Sequence, residues 1–333
     1  MLEAQEAIPQ LHTRALDLSI LIVTWNSERW IDRCLRSIPA ACEGLEYEVV
    51  VHDNASTDNT LAHIGDANAC PEQRRRVLRS TTNSGFAAGT NRAFAASRGR
   101  YVFLLNPDCE LAPRALTLLF EFLESHPHIA AAAPLLIDES GDSQREFQLR
   151  RLPTLGTLAA EVLMLDKVFP RNPATASYRY RDLDLAKAQP IEQPAGAALL
   201  LRRSVVDEIG PLDEQFAPAW FEDVDYCQRL AQKKQEIWVV PAAEARHFGG
   251  ASLEHIDFGR FVDIWYRNMW RYARKWLLPG QAEGLRWVIM AGMVLRCAAA
   301  LVGFKNRDIS RREALRAYAG VLKRAFDRWE APP

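Results

Sequence analysis

"YVFLLNPDCEL" spans residues 101–111, and the reading of its two halves decides the fold. The first half is a short apolar, β-rich run, read as a buried strand over 101–106. Pro107 lacks a backbone donor and turns the chain, which leaves the carboxylate of Asp108 at a strand end. The same design recurs upstream. "LSILIVT" (18–24) runs into Thr24-Trp25-Asn26, and "YEVVVHD" (47–53) into Asp53-Asn54. Between these strands lie helical segments. Residues 27–38 place Trp30, Ile31, Cys34, Leu35 and Ile38 on one face, with Ser27 as N-cap. Further helices are expected at 56–66 (capped by Ser56 or Thr57), at about 86–97 and at 114–125. A short strand near 77–79 and an apolar run at 129–136 complete the alternation. Such a pattern implies an α/β fold with a mainly parallel sheet covered on both faces. Ligands of such sheets sit beyond the carboxyl ends of the strands.

The remainder is less regular. Residues 137–193 carry several prolines, a basic Arg150-Arg151 pair and one apolar helical piece (158–169), and read as an excursion or lid. Strands are expected at 196–203 and 237–240 and helices at 204–210 and 222–234. Everything from about 258 onward looks helical. The chain divides into a tail (1–16), a catalytic-type domain (17–257, halves 17–136 and 137–257) and a basic helical region (258–333).

The 333 residues are 48% hydrophobic, as expected of a folded chain with a sizeable core. The formal net charge of −1 argues against a nucleic-acid partner. It conceals an asymmetry: residues 267–328 hold 14 Lys/Arg against 4 Asp/Glu, a local +10 that leaves −11 elsewhere. A basic final quarter suggests an anionic partner surface such as lipid headgroups. The six cysteines show no C-x-x-C pair or zinc spacing and read as reduced thiols, and the N-terminus has no apolar signal core. Both point to a cytoplasmic protein.

Taken in order, "VTWN", "DNASTDNT", "NSGFAAGTN", "NPD", "FEDVDYCQR" and "HFGGAS" resemble the inverting glycosyltransferases of family two, and within them the bacterial rhamnosyltransferase-like members of GT-A fold. The resemblance covers about residues 18–270. It implies transfer of a sugar from a dTDP- or UDP-linked donor, with rhamnose the leading expectation. The acceptor would be a glycan or a polyprenyl-linked sugar in cell-surface polysaccharide synthesis. Asp53 would accept a hydrogen bond from the base, beside Thr24, Trp25, Asn26 and Asn54. Gly85 and its small neighbours would let a helix N-terminus approach a diphosphate, with Asn83 and Asn91 at its flanks. Asn106 and Asp108 fall where the family carries an Asp-x-Asp metal motif, with Asn in place of the first acid. Asp108 would then hold Mg2+ or Mn2+, helped by His247. Asp223 matches the general base, Glu222 adjoins it, and Ser252 belongs to a glycine-containing loop closing on phosphate. A sugar-1-phosphate nucleotidyltransferase would need a glycine-rich loop where "TWNSERW" stands. A non-catalytic sugar-nucleotide binder would not need Asp108 and Asp223.

The apolar stretch 285–304 is interrupted by Arg296, which disfavours a spanning helix. It reads as a helix packed within the protein or a homodimer, or as one lying in the plane of a membrane. The Trp, Tyr and basic residues flanking it suit a headgroup layer at the inner face of the cell membrane.

Overall fold

The computed structural model describes residues 16–66, 74–165, 169, 172–249, 256–303 and 309–330. Its strands are β1 (Leu18–Thr24), β2 (Tyr47–Asp53), β3 (Arg75–Arg79), β4 (Tyr101–Leu105), β5 (Cys109–Leu111), β6 (Ile129–Ile137), β7 (Leu149–Arg150), β8 (Gln189–Ile191), β9 (Gln193–Pro194), β10 (Ala198–Arg202) and β11 (Glu236–His247). Nine form one sheet in the order β3-β2-β1-β4-β10-β6-β11-β5, with β8 also on β11, and β7 pairs with β9. The first four strands of this order are parallel. β10 then enters antiparallel to both β4 and β6. The sheet is therefore mixed and mostly parallel, flanked by helices, with a helical C-terminal region.

Alternation along β1 explains why both faces are covered. Leu18, Ile20 and Ile22 join one core with the helix Ile31–Ala41 and the helix Ala115–Ser125. Leu21 faces the other core, with Ala87 and Ala93 of the helix Phe86–Ala95 and Tyr226 and Leu230 of the helix Glu222–Gln232. Each such fully buried aliphatic contributes roughly 1.5–3 kcal/mol. A third cluster joins Phe221 and Val224 to the helices Phe258–Trp276, Pro279–Leu301 and Arg311–Phe326.

Several element boundaries differ from expectation. The first helix starts at Ile31 and not after Ser27, because the Ser27 carbonyl already takes the amides of Trp30 and Ile31 in a tight turn. The second helix is only Thr60–Gly65. Its expected caps serve elsewhere: Ser56 bonds Asp53, and Thr57 bonds Asn26. The strand expected to stop at Val240 continues to His247, since a bulge between Val240 and Glu244 lets it resume pairing with β6. "CEL", directly after Asn106-Pro107-Asp108, is itself a strand and pairs with the end of β11.

Candidate active site

The loops after β1 and β2 are laced together. Asp53 is almost fully buried, and its Oδ1 accepts from Thr24 Oγ1 (3.0 Å) and Ser56 Oγ (2.6 Å). Its Oδ2 accepts from the Ser56 amide at 3.1 Å, so three of about four acceptor positions are filled within the loop. Asn26 holds Thr57 through Oδ1 (2.8 Å), while its amide donates to Ser56 Oγ (2.9 Å). The Trp25 amide lies 3.3 Å from Ser27 Oγ. Asp58 accepts from the Thr60 and Glu28 amides, closing both turns. Asn54 donates to the Gly85 carbonyl (3.0 Å) and so fixes this loop to the helix Phe86–Ala95.

At that helix start, Asn83 Oδ1 accepts from the Gly85 amide at 2.9 Å. Gly85 has φ +91°, and a Cβ there would lie 2.8 Å from the Pro218 carbonyl oxygen, so only glycine fits. The same carbonyl receives the Phe86 amide at 2.7 Å. Asn91 uses both ends of its amide on residues 212–214. It donates to the Leu212 carbonyl and Glu214 Oε1 (2.9 Å each) and accepts from the Leu212 amide (2.8 Å). The structure thus brings Asn91 to a structural tether between helix and loop.

A different arrangement occupies the junction of β4, β5 and β11. Asp108 is 5% exposed, and its carboxylate faces His247 Nε2 at 3.6 Å. The register Cys109–His247 between β5 and β11 brings the two side chains together. Gln144 fixes the ring: its Nε2 donates to the His247 carbonyl (2.7 Å), so its Oε1 must accept from Nδ1–H (2.9 Å). The proton therefore sits on Nδ1, and Nε2 turns its lone pair toward the Asp108 carboxylate. Burial lowers the imidazole pKa against the opposing pull of Asp108, which keeps the ring neutral. Phe147 stacks on it at 4.9 Å.

Two acceptors facing each other with no proton between them suit a cation, and an oxygen plus an imidazole nitrogen suit a divalent one. Cys109 lies in the same cluster, whose ligand atoms fall within 4.8 Å of one another. Its Sγ donates to the Ala197 carbonyl, and burial raises its pKa well above normal, so it remains a thiol. Asn106 shows no side-chain hydrogen bond among the described residues, while its backbone pairs with Ala197 and Cys109. Gln144 escaped the sequence reading because it lies in the 137–193 excursion, where no periodicity marks it. The only signal was a polar residue shortly after β6.

Asp223 lies in the first turn of the helix Glu222–Gln232 and meets Gly196 in the segment that leads into β10, where the next residue, Ala197, bonds Asn106 and Cys109. Its Oδ2 accepts from the Gly196 amide (3.0 Å) and its Oδ1 from the Val224 amide (2.8 Å). Burial nonetheless raises its pKa, opposed by those two bonds and by the Arg150 charge. Glu222 is 6% exposed, its Oε2 has no partner, and burial beside Asp223 holds its pKa well above the carboxylate range. Asp225 has a different role: fully buried, it is bonded by Arg229, Lys275 and Trp276.

The segment before Asp223 is strained. Trp220 and Phe221 have φ of +71° and +75°, each costing on the order of 1–3 kcal/mol. Buried Asn268 holds them there, its Nδ2 donating to the carbonyls of Phe216, Ala219 and Trp220. Phe261 and Trp265 pack on the two rings. The C-terminal helices therefore set the position of Asp223. Ser252 lies outside the described residues.

Known proteins carry the same pattern. The family "Glycosyl transferase family 2" matches residues 19–210. An N-acetylglucosaminyl-diphospho-decaprenol L-rhamnosyltransferase of Mycobacterium tuberculosis is 28% identical over 286 residues, covering 79% of this chain and 89% of its own length. The low-salt glycan biosynthesis hexosyltransferase Agl10 of Haloferax volcanii is 24% identical over 257 residues, covering 76% of this chain and 74% of its own. Among solved structures, the mannosyltransferase PcManGT of Pyrobaculum calidifontis, in complex with GDP-Man and Mn2+, superimposes with a TM-score of 0.54 at 15% identity, over 96% of this chain and 88% of that one. GalNAc-T7 with UDP, GalNAc and Mn2+ gives 0.57 at 14% identity, over 95% of this chain and 56% of that one. These two share the fold.

Proposed function

The chain belongs to glycosyl transferase family 2, and from that membership we propose that it is an inverting rhamnosyltransferase acting on a lipid-linked sugar. Glycosyl transfer in polysaccharide biosynthesis follows from the family and its glycan-building relatives. The finer reading, dTDP-rhamnose as donor and a polyprenyl-linked acceptor at the cytoplasmic face of the membrane, is supported by the similarity to the mycobacterial rhamnosyltransferase.

The observation that supports the catalytic assignment is that two adjacent residues join the sites: the Gly196 amide holds Asp223, and the Ala197 carbonyl takes the Asn106 amide and Cys109 Sγ beside Asp108 and His247. Asp223 takes the proton of the acceptor hydroxyl as that oxygen attacks the anomeric carbon. The bond to the nucleoside diphosphate breaks on the opposite face, and the configuration inverts. The amides of Gly196 and Val224 aim the carboxylate, while its raised pKa makes it a better base than an exposed aspartate. Asp108 and His247 would hold a divalent cation, which supplies charge neutralisation for the leaving diphosphate. Asn106 adds an amide at its edge. The tether residues Asn26, Asn54 and Asn91 shape the donor loops from behind.

Purified protein assayed with dTDP-rhamnose and a panel of UDP-sugars, with Mg2+, Mn2+ or EDTA, tests the reading. One donor is expected to turn over, only with metal. Asp223→Asn should lower transfer by about 10²–10⁴-fold while donor affinity stays within a few-fold. Wild-type turnover in that variant would remove Asp223 from its role.

A further inference from the structure

Among the described residues one helix, Pro279–Leu301, is long and apolar enough to cross a membrane. Its inner face rules out a simple span, because Leu285, Ile289 and Met293 are packed with Val162, Val262 and Tyr266 of the folded domain. The outer face is the unexpected one. Trp287, Ala291, Val294, Leu295, Ala298 and Leu301 are all exposed, at the spacing of a single helical stripe, and none is polar. Trp287, Val294, Leu295 and Leu301 are each 53–59% exposed. Arg296, which interrupts the stretch in sequence, turns inward: its Nη1 donates to the Val162 carbonyl, and its guanidinium lies over Tyr266. The stripe thus continues unbroken by charge.

The neighbouring helix Arg311–Phe326 presents a second exposed row, with Arg312, Arg316 and Lys323 ending at Phe326. The two helices are joined at that end. Arg286 donates to the Ala325 carbonyl at 3.0 Å and lies over Trp287, and Arg328 pairs with Glu283. An apolar row thus runs beside a basic one, with aromatic residues where they meet.

We infer that the helices Pro279–Leu301 and Arg311–Phe326 form a docking face for an anionic lipid surface, with the apolar stripe lying in the plane of the acyl-chain boundary and the arginines among the headgroups. This deepens the reading of a lipid-linked acceptor and rests on it for its purpose. Charge complementarity selects the occupant. The exposed Arg312, Arg316 and Lys323 are drawn to anionic headgroups, within a segment (267–328) whose +10 contrasts with −11 elsewhere in the chain. A second copy seated on the same face would instead bring two basic rows together. The helix Phe258–Trp276 packs with both helices of this face and also holds Asp225 and the strained segment before Asp223, so the docking face and the Asp223 region share one support.

The test is flotation of the full chain with vesicles of phosphatidylcholine alone and of phosphatidylcholine mixed with phosphatidylglycerol. Binding is expected with the anionic vesicles, and added salt should weaken it. Val294→Glu/Leu295→Glu and Arg312→Glu/Arg316→Glu should each reduce it by about tenfold or more. All four positions are exposed, so unchanged thermal melting of the variants is expected and is measured alongside. Equal binding to both vesicle types, or by wild type and both variants, overturns the proposal. So does a dimer in sedimentation velocity that Val294→Glu/Leu295→Glu dissociates. Donor hydrolysis without vesicles is read in parallel. If no donor turns over while vesicle binding follows the variants, the catalytic reading has failed and the docking face stands.

Discussion

The site has two rims, the donor-loop side around Asp53 and the side of Asp108, His247 and Glu222, and they treat their polar groups in opposite ways. Around Asp53, Asn26 and Asn91 the side chains satisfy one another: a threonine and two serine donors meet Asp53, a threonine amide meets Asn26, and a loop backbone meets Asn91. At the Asp108–His247 corner and beside Asp223 the groups are left facing open chemistry. Two lone-pair acceptors confront each other at 3.6 Å, and a buried Glu222 oxygen has no donor. Buried polar atoms normally pair, because leaving one unmade costs about 1–3 kcal/mol. A rim that tolerates unmade pairs is where a ligand completes the structure. A rim whose carboxylate and amides are mostly paired within the chain acts as scaffold, and under the proposed function a nucleotide would meet it through shape and the one remaining acceptor position on Asp53.

Substitution at the open corner should therefore cost chemistry more than stability. Asp108→Asn is expected to show the largest effect, a loss on the order of a thousandfold in kcat/KM with melting nearly unchanged, since several kcal/mol of charge stabilisation depend on that carboxylate. Transfer kinetics over a Mn2+ titration measure it. Metal-independent, undiminished turnover would break the distinction between the rims. Gln144→Ala should come next. It leaves both proposed ligands in place but frees the imidazole, so metal affinity should fall about 10–100-fold, with kcat recovered at high metal. A loss of kcat that saturating metal does not repair would show that Gln144 does something other than orient His247.

The scaffold rim predicts the reverse. Asn91→Ala removes three hydrogen bonds to residues 212–214 and leaves the Leu212 amide and carbonyl without them. Denaturant unfolding should report about 2 kcal/mol of lost stability. Donor KM should change little. A large KM effect with no stability change would move Asn91 from the scaffold to the ligand.

That contrast also explains what could be read from the sequence. Thr24, Asp53 and Asp108 were legible because a strand end is a local event: an apolar run stops, and the next side chain sits at the sheet rim. The place of Asp223 at an acidic helix start was legible for the same local reason, whereas its role as base came only from the family resemblance. The tethering role of Asn91 was not, since its partners lie more than a hundred residues away and only the packed chain brings them close. Gln144 was hidden for the same reason. The extension of β11 to His247 was hidden by "PAAEAR", whose small and polar residues have weak β propensity and are held in the sheet by pairing with β6 and β5. Arg296 showed the converse. As a letter it broke an apolar stretch, but in the fold it points to Val162 and leaves the outer stripe intact.

Glu222 offers the smallest and most selective test of the open rim, because it is a buried acid whose Oε2 has no donor among the described residues. Its folded-state pKa is raised, first by burial and then by Asp223. In that case the folded protein holds a proton that the unfolded chain gives up near the ordinary carboxylate range. Whatever stability the buried acid permits is fully present below that range and declines as pH rises toward the folded pKa. Glu222→Gln cannot lose the proton. Wild type and variant should therefore unfold alike under acidic conditions and diverge as pH rises, with the variant the more stable by on the order of 1 kcal/mol near neutrality. Thermal melts of both proteins across that span decide it. Parallel curves would mean that a donor already satisfies the Glu222 carboxylate in solution, and that the open rim is confined to the metal corner.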